Sequence, residues 1–253
     1  MFQQIINHIR TNKAYRTDQL GIIQRYFNEE NNWTEHLINS KKYILDSLPD
    51  KKLNSIAILG SGWLLDVPVD KLLDKTEQLI LYDIYHPKQI VNKYKNQERI
   101  KFVQADLTNN MADALQKSKS FIEFNSKVSD IQHVGFMVEY DFVVSINLLN
   151  QLDIILCDLI KQKFKVPDES LYEIRKIIQQ NHLKSLPVGK SCIITDYAEI
   201  NYTDKQTPII KKSLIYVDTK CLTNRQEWFW NFDTRKSYRK NMNTYFKVMA
   251  GKY

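Results

Sequence analysis

The amino-acid sequence predicts an α/β fold: a doubly wound, mostly parallel sheet closed by an antiparallel C-terminal hairpin, with an N-terminal helical cap. Three observations carry this expectation. The first fifty residues place apolar side chains at helical spacing. From Ser55 onward, short Val/Ile/Leu runs alternate with polar or helical stretches. Near the C-terminus two aromatic-rich segments break that alternation.

In the cap, Trp33, Leu37, Ile38, Ile44, Leu45 and Leu48 recur at roughly helical intervals, and Leu20–Phe27 carries a second short apolar face. Residues 1–50 therefore read as a helical cap on a sheet domain of residues 51–253. The strand candidates are SIAILG (Ser55–Gly60), QLILYD (Gln78–Asp83), RIKFVQAD (Arg99–Asp106), DFVVSI (Asp141–Ile146) and KSCIITD (Lys190–Asp196). Helices are expected near Val69–Thr76, from about Pro87, within Asn147–Phe164 and over roughly Glu169–Asn181, while Asn110–Tyr140 reads only as loop with helix. Continuous apolar runs suit parallel strands buried on both faces, and their alternation with helices implies right-handed crossovers. QEWFWNF (Gln226–Phe232) and NTYFKVMAG (Asn243–Gly251), joined by the basic segment Asp233–Met242, read as a hairpin that closes the sheet.

Composition narrows the function classes. Hydrophobic residues at 43% and charged residues at 26% supply an ordinary globular core. The net charge of +7 favours anionic partners in general. Lys and Arg are spread along the whole chain, so a solvated basic surface is favoured over a nucleic-acid site. Cys157, Cys192 and Cys221 form no CxxC pair, which argues against a disulfide framework or structural zinc; the first two sit in apolar runs as buried hydrophobes. No HxxxH pair suggests a metal, and no GxSxG suggests a serine hydrolase. MFQQIINHIR lacks the long apolar stretch of a signal peptide and no segment approaches a membrane span, so the expected compartment is a reducing cytoplasm.

The positions that bear chemistry gather at strand ends. Gly60-Ser61-Gly62-Trp63 follows the first strand directly, and glycines there let the backbone turn tightly against a ligand. Leu65 stands where a dinucleotide fingerprint needs its third glycine. Asp66 precedes a proline that suits a helix start and reads better as a helix cap than as a ligand contact. Asp83 ends the second strand, 21 positions past Gly62, where a carboxylate can accept both hydroxyls of a ribose. The bland alternative is an exposed strand-end acid. Asp106 ends the third strand and can accept from an adenine amino group. Ser145 and Asn147 stand at the same edge after the fourth.

Together ILGSGWLLD, LILYDIY, VQADLT and YDFVVSINLLNQL resemble the successive nucleotide-binding motifs of class I, Rossmann-like S-adenosylmethionine-dependent methyltransferases, over about Ser55–Asp196. The resemblance implies S-adenosylmethionine as cofactor. It places Gly60, Ser61 and Gly62 at the methionine part, with Trp63 beside them. Asp83, with Ile84 adjoining it, falls at the ribose, Asp106 and Leu107 at the adenine, and Asn147 beside the transferred methyl, with Ser145 among the cofactor-binding candidates at the same edge. The chain departs from the family at Ile58, where an acid is usual, at the missing third glycine, and in lacking an Asn/Asp-Pro-Pro-Tyr signature.

The leading expectation is a methyltransferase for a small-molecule acceptor. An NAD(P)-dependent oxidoreductase and a non-catalytic interaction protein of the same fold are the rivals. The sequence singles out no catalytic residue: Tyr15, Tyr26, His36 and His86 are all candidate bases. His86, beside a proline, reads as solvated. Arg235, Lys236, Arg239 and Lys240 read as a charged hairpin turn, and Trp228 and Trp230 as packing for the sheet's end.

Overall fold

Strand β1 (Leu53–Leu59) shows why this sheet forms: Ile56 and Ile58 bury toward one face while Ala57 and Leu59 bury toward the other. A stretch apolar at every position, as Ile56–Leu59 is, needs cover on both sides, which the crossovers supply. The computed structural model describes residues 2–130, 139–203 and 208–253, with side chains for 15–130, 139–203 and 212–253. The parallel strands are β1, β2 (Thr76–Asp83), β3 (Ile100–Gln104), β4 (Phe142–Ile146) and β5 (Ser191–Tyr202). They are followed by β6 (Pro208–Ser213), β7 (Thr223–Asp233) and β8 (Asn243–Lys252). The spatial order is β3-β2-β1-β4-β5-β8-β7, with β6 paired to β5. Pairing is parallel from β3 to β5 and antiparallel among β5, β8 and β7. The expected hairpin closure is therefore present.

The helices between the strands are α2 (Val69–Lys75), α3 (Lys88–Tyr94), α4 (Met111–Lys117), α5 (Phe121–Ser129), α6 (Ile154–Phe164) and α7 (Tyr172–Ser185). The poorly patterned stretch resolves into α4 and α5; its part at 131–138 lies outside the described residues. No described helix is long and apolar enough to cross a membrane.

Two elements differ from expectation. The cap is one helix, α1 (Phe2–Ser47), bent at Glu29 (φ −121°, ψ 17°), where two helical stretches were expected. Strand β5 runs on past Asp196 to Tyr202, and β6 pairs with this extension. Periodicity hides the extension because Glu199 and Asn201 are buried polar residues. Its geometry positions the site. The first half of β5 pairs with β4, a bulge falls between Asp196 and Ala198, and the second half passes beyond the end of β4. Bulges re-aim side chains in this way.

Helix α1 docks on β7. Trp33 Nε1 donates to the Phe232 carbonyl (3.0 Å), and the Tyr43 hydroxyl donates to that of Asn224 (3.0 Å). Trp33 meets Trp230 edge-on at 4.7 Å and stacks on Phe232 at 5.5 Å. Burying one such aromatic contributes roughly 3 kcal/mol.

Candidate functional site

The loop after β1 is shaped by its glycines. Gly60 adopts φ +83°, and a Cβ there would lie 2.6 Å from the Ile146 carbonyl oxygen. The loop thus passes so close to the end of β4 that only glycine fits. Gly60 and Ser61 donate their N–H groups to the Tyr82 carbonyl (2.9 and 3.1 Å), tying the loop to the end of β2. Gly62 N–H donates to Asp83 Oδ2 (2.7 Å), and Tyr85 N–H to Asp83 Oδ1 (3.1 Å). Burial raises the Asp83 carboxyl above the ordinary carboxylate range, partly offset by those N–H donors and by nearby His86. Each oxygen keeps a further lone pair for a ligand hydroxyl.

His86 is held rather than merely solvated, a correction to the sequence reading. Its Nε2 donates to the Val103 carbonyl (3.0 Å), its Nδ1 lies 3.5 Å from Ser61 Oγ, and its ring meets Phe102 edge-on. At the end of β3, Asp106 Oδ1 accepts from Thr108 N–H (2.8 Å) and Thr108 Oγ1 (2.6 Å). Tyr15 of α1 reaches this edge. Burial, then the Asp106 charge, push its hydroxyl pKa up.

A cavity of about 560 Å³ begins at this edge, touching Gly60, Ser61, Gly62, Trp63, Asp83, Ile84, Asp106 and Leu107, and runs past Asn147 to a pocket beneath α1. Nine of the ten site residues read from sequence line it. Ser145 does not: it is fully buried behind the strand ends with its Oγ 2.8 Å from His182 Nε2. Trp63 donates its indole N–H to the Gln19 carbonyl of α1 (2.7 Å), so it fastens the cap to the loop.

The pocket beneath α1 is where sequence reasoning saw least. Asp66 does not cap α2, whose N-cap position, Pro68, makes no side-chain bond. Asp66 Oδ2 instead accepts from Asn147 Nδ2 (2.6 Å), and burial lifts its pKa to about 6. Asn147, in the left-handed region at φ +46°, is thereby aimed across the strand ends. Asp196, at the β5 bulge, is 2% exposed and its pKa is pushed up to about 8, first by burial. Its Oδ2 lies 3.5 Å from Asn150 Nδ2. Glu199 receives a two-pronged contact from Arg239 (2.7 and 2.9 Å), which takes Arg239 out of the simple solvated turn expected of it. Asp153 pairs with Arg175.

Trp230 packs the sheet's end as expected and also lines the cavity. His36 stacks on Trp230 at 3.9 Å with rings 4° apart, and its Nδ1 accepts from Trp228 Nε1 (3.1 Å). Burial drops the His36 pKa to about 3, which leaves it neutral and a poor base at physiological pH. One signal for Asp196 was present in the sequence: it is a carboxylate at the end of a strand candidate, like Asp83, one residue past the apolar run Cys192–Ile194.

A parallel sheet that reverses between β1 and β4, with helices on both faces and an antiparallel pair at its end, is the Rossmann-like methyltransferase fold. No protein-family model and no curated protein sequence matches the chain. Among solved structures, the chain is similar to the N-methyltransferase NodS from Bradyrhizobium japonicum WM9 (12% identity, 89% of this chain, 99% of that chain, TM-score 0.45). It is also similar to the 1,6-didemethyltoxoflavin-N1-methyltransferase of Burkholderia thailandensis (10% identity, 95% of this chain, 89% of that chain, TM-score 0.44). At such identities and scores these likenesses carry neither cofactor nor acceptor to this chain, whose chemistry is read from its own residues.

Proposed function

We propose that the chain is an S-adenosylmethionine-dependent methyltransferase acting on a small-molecule acceptor. The observation that carries this reading is the continuous cavity joining the Gly60–Gly62, Asp83 and Asp106 edge to the pocket beneath α1. Two ligands meeting end to end need such a space, and in an open parallel sheet it lies beyond the carboxyl ends of the strands. The residues fit the cofactor. The glycine loop leaves room for backbone approach, and Asp83 is steadied by two N–H groups with lone pairs to spare for a ribose. Asp106, pinned by Thr108, stands at the adenine position. A dinucleotide fits less well, because Leu65 fills the place of the third glycine and packs against the core.

When bound, the cofactor supplies a methyl already activated on a sulfonium. What remains for the protein is alignment and the exclusion of water. Asn147, tied to Asp66, stands between the two ends of the cavity. Tyr15 and Gln19 of α1, with Trp63 fastened to Gln19, form the roof, so α1 acts as the cap. The three cysteines are free thiols, in keeping with the reducing cytoplasm we infer as the compartment.

Isothermal titration with S-adenosylmethionine, S-adenosylhomocysteine and NADH tests the reading. Micromolar binding of the first two and none of NADH is the expected result. Asp83→Ala should weaken both by about tenfold or more, the worth of charge-assisted hydrogen bonds. Unchanged affinity in that variant, or NADH binding, overturns the assignment.

A further inference from the structure

Four of the carboxylates that line this cavity, Asp66, Asp153, Asp196 and Glu199, fall into two kinds by their partners. Glu199 and Asp153 are each matched by an arginine, Arg239 and Arg175. Asp66 and Asp196 have no ion-pair partner among the described residues. Among the described residues Asp196 Oδ1 is buried without a hydrogen-bond partner, as are Asn147 Oδ1 and, elsewhere on the cavity wall, Gln19 Oε1, Arg25 Nε and Trp230 Nε1. A buried carboxylate oxygen without a donor is costly, and cavity walls that keep one ask for the donor from a ligand.

At Asp196 and Asn147 the matching group is a donor. An amide oxygen and a carboxyl that ionises when a cation arrives are both met by a group with several N–H donors and a positive charge. A hydroxyl offers a single donor, and an anionic head group would face Asp66 and Asp196 directly. Trp230 and Phe232 line the same cavity, with His36 stacked on the first ring and the Arg25 guanidinium over the second. The charge that bears on Asp196 is that of Asp66, while Arg25, Lys161 and Lys212 line other parts of the cavity. Asp66 approaches from the loop after β1, with Lys41 of α1 acting on Asp66. Asn150 and Thr195 are neutral, β8 places Val248 opposite, and α1 supplies the neutral His36. Arg239 and Arg175 are engaged by Glu199 and Asp153.

We propose that this end of the cavity binds the acceptor through a primary or secondary amine held between Asp196 Oδ1 and Asn147 Oδ1, with Asp196 as the group that takes its proton. The proposal rests on the methyltransferase reading above. The N–H bond of the ammonium breaks and its proton passes to the Asp196 carboxylate. The freed nitrogen lone pair forms a bond to the methyl carbon of S-adenosylmethionine as the carbon–sulfur bond breaks, and that bond's electron pair stays on sulfur. The positive charge moves from sulfur to nitrogen, giving an N-methylammonium and S-adenosylhomocysteine.

Because Asp196 without an amine is protonated at pH 7, arrival of an ammonium at a pair that shares one proton sends one proton to solvent. Calorimetry of the full chain, with and without saturating S-adenosylhomocysteine, in phosphate and MOPS buffers at pH 7, counts that proton. The probes are methylamine, benzylamine and, as the neutral control, benzyl alcohol. Benzylamine should bind at least about tenfold more tightly than benzyl alcohol and release about one proton. Asp196→Asn should lose both the preference and the proton release while keeping its affinity for S-adenosylhomocysteine. Should that variant fail to fold, the wild-type comparison of amine with alcohol decides alone. Equal binding of amine and alcohol, no binding of either amine, absence of proton release, or an Asp196→Asn protein that keeps the preference overturns the proposal. S-adenosylhomocysteine binding without amine preference overturns the amine site and leaves the cofactor reading standing. Amine preference without S-adenosylhomocysteine binding upholds the amine site and overturns the cofactor reading.

Discussion

At the strand-end edge of the cavity, the polar groups are held by backbone and by neighbours close in sequence: Gly62 and Tyr85 on Asp83, Thr108 on Asp106. Beneath α1 they are held by side chains from distant parts of the chain: Asn147 on Asp66, Arg239 on Glu199, Trp228 on His36. At the first end Asp83 and Asp106 have partners on their own loops and Gln19 Oε1 is left without one, while the second end keeps Asp196 Oδ1 and Asn147 Oδ1 without partners among the described residues. On the proposed reading, local backbone geometry suffices for a site that takes a common nucleoside, whereas a pocket for a particular acceptor is assembled from long-range packing. The acceptor end should accordingly be the more sensitive to how α1 docks.

The sharpest way to break that contrast is at Gly60. Alanine there must hold φ +83° and place a Cβ 2.6 Å from the Ile146 oxygen, so Gly60→Ala should lose about 3 kcal/mol in urea unfolding along with cofactor binding. A loss under about half a kcal/mol would show that the loop has slack and that its tightness is not what shapes the edge.

Next comes the clasp at the α1 bend. Buried Glu29 accepts from Thr234 N–H (2.9 Å), Arg235 N–H (3.0 Å), Thr234 Oγ1 (2.8 Å) and Asn32 Nδ2 (2.7 Å). Glu29→Ala leaves those donors unmatched and should destabilise by about 2 kcal/mol. Benzylamine affinity should drop further than S-adenosylhomocysteine affinity; equal drops would dissolve the distinction between the two ends.

The pH dependence of stability probes the acceptor end itself. Asp196, with a folded pKa of about 8, is far above an ordinary carboxylate, so the folded state holds a proton that the unfolded state has released. Its contribution is full at low pH and is lost as pH rises through 8. Asp66, at about 6, has lost most of its share by pH 6.5. The buried His36 and His182, lowered to about 3 and about 4, work the other way: their contribution is present above 6.5 and lost as pH falls. Between pH 6.5 and 8 Asp196 therefore dominates, and stability should decline by on the order of 1 kcal/mol in denaturant titrations, a slope that Asp196→Asn removes.

The smallest effect is expected at Trp63. Trp63→Phe deletes the 2.7 Å bond to the Gln19 carbonyl and keeps most of the packing, so it should cost about 1 kcal/mol in thermal unfolding. A larger loss would make the cap-to-loop fastening a main determinant of the cofactor edge.

How much of this was legible follows from the same contrast. Gly60, Gly62, Asp83 and Asp106 were readable because each ends or follows a buried run, and a parallel sheet sends every such position to one edge. Ser145 fell to the wrong side because neighbouring strand residues alternate between faces; its hydroxyl meets His182 behind the sheet. Asp66 read as a cap because a polar residue near a helix start usually is one. Only the approach of Asn147 across the strand ends redirects it.

By itself the sequence determined the order of the five parallel strands, the closing hairpin and the strand-end residues, because those depend on local periodicity and on the spacing of apolar runs, whereas β6 and the pair α4 and α5 emerged only from the structure. The tertiary structure alone decided that β5 continues past Asp196, that the helical stretches join into one bent α1, and that Asp66, Asn147, Asp196 and His36 share one pocket. Burial and unmatched hydrogen-bond capacity are properties of a packed environment, and no window of sequence contains the neighbours that create them.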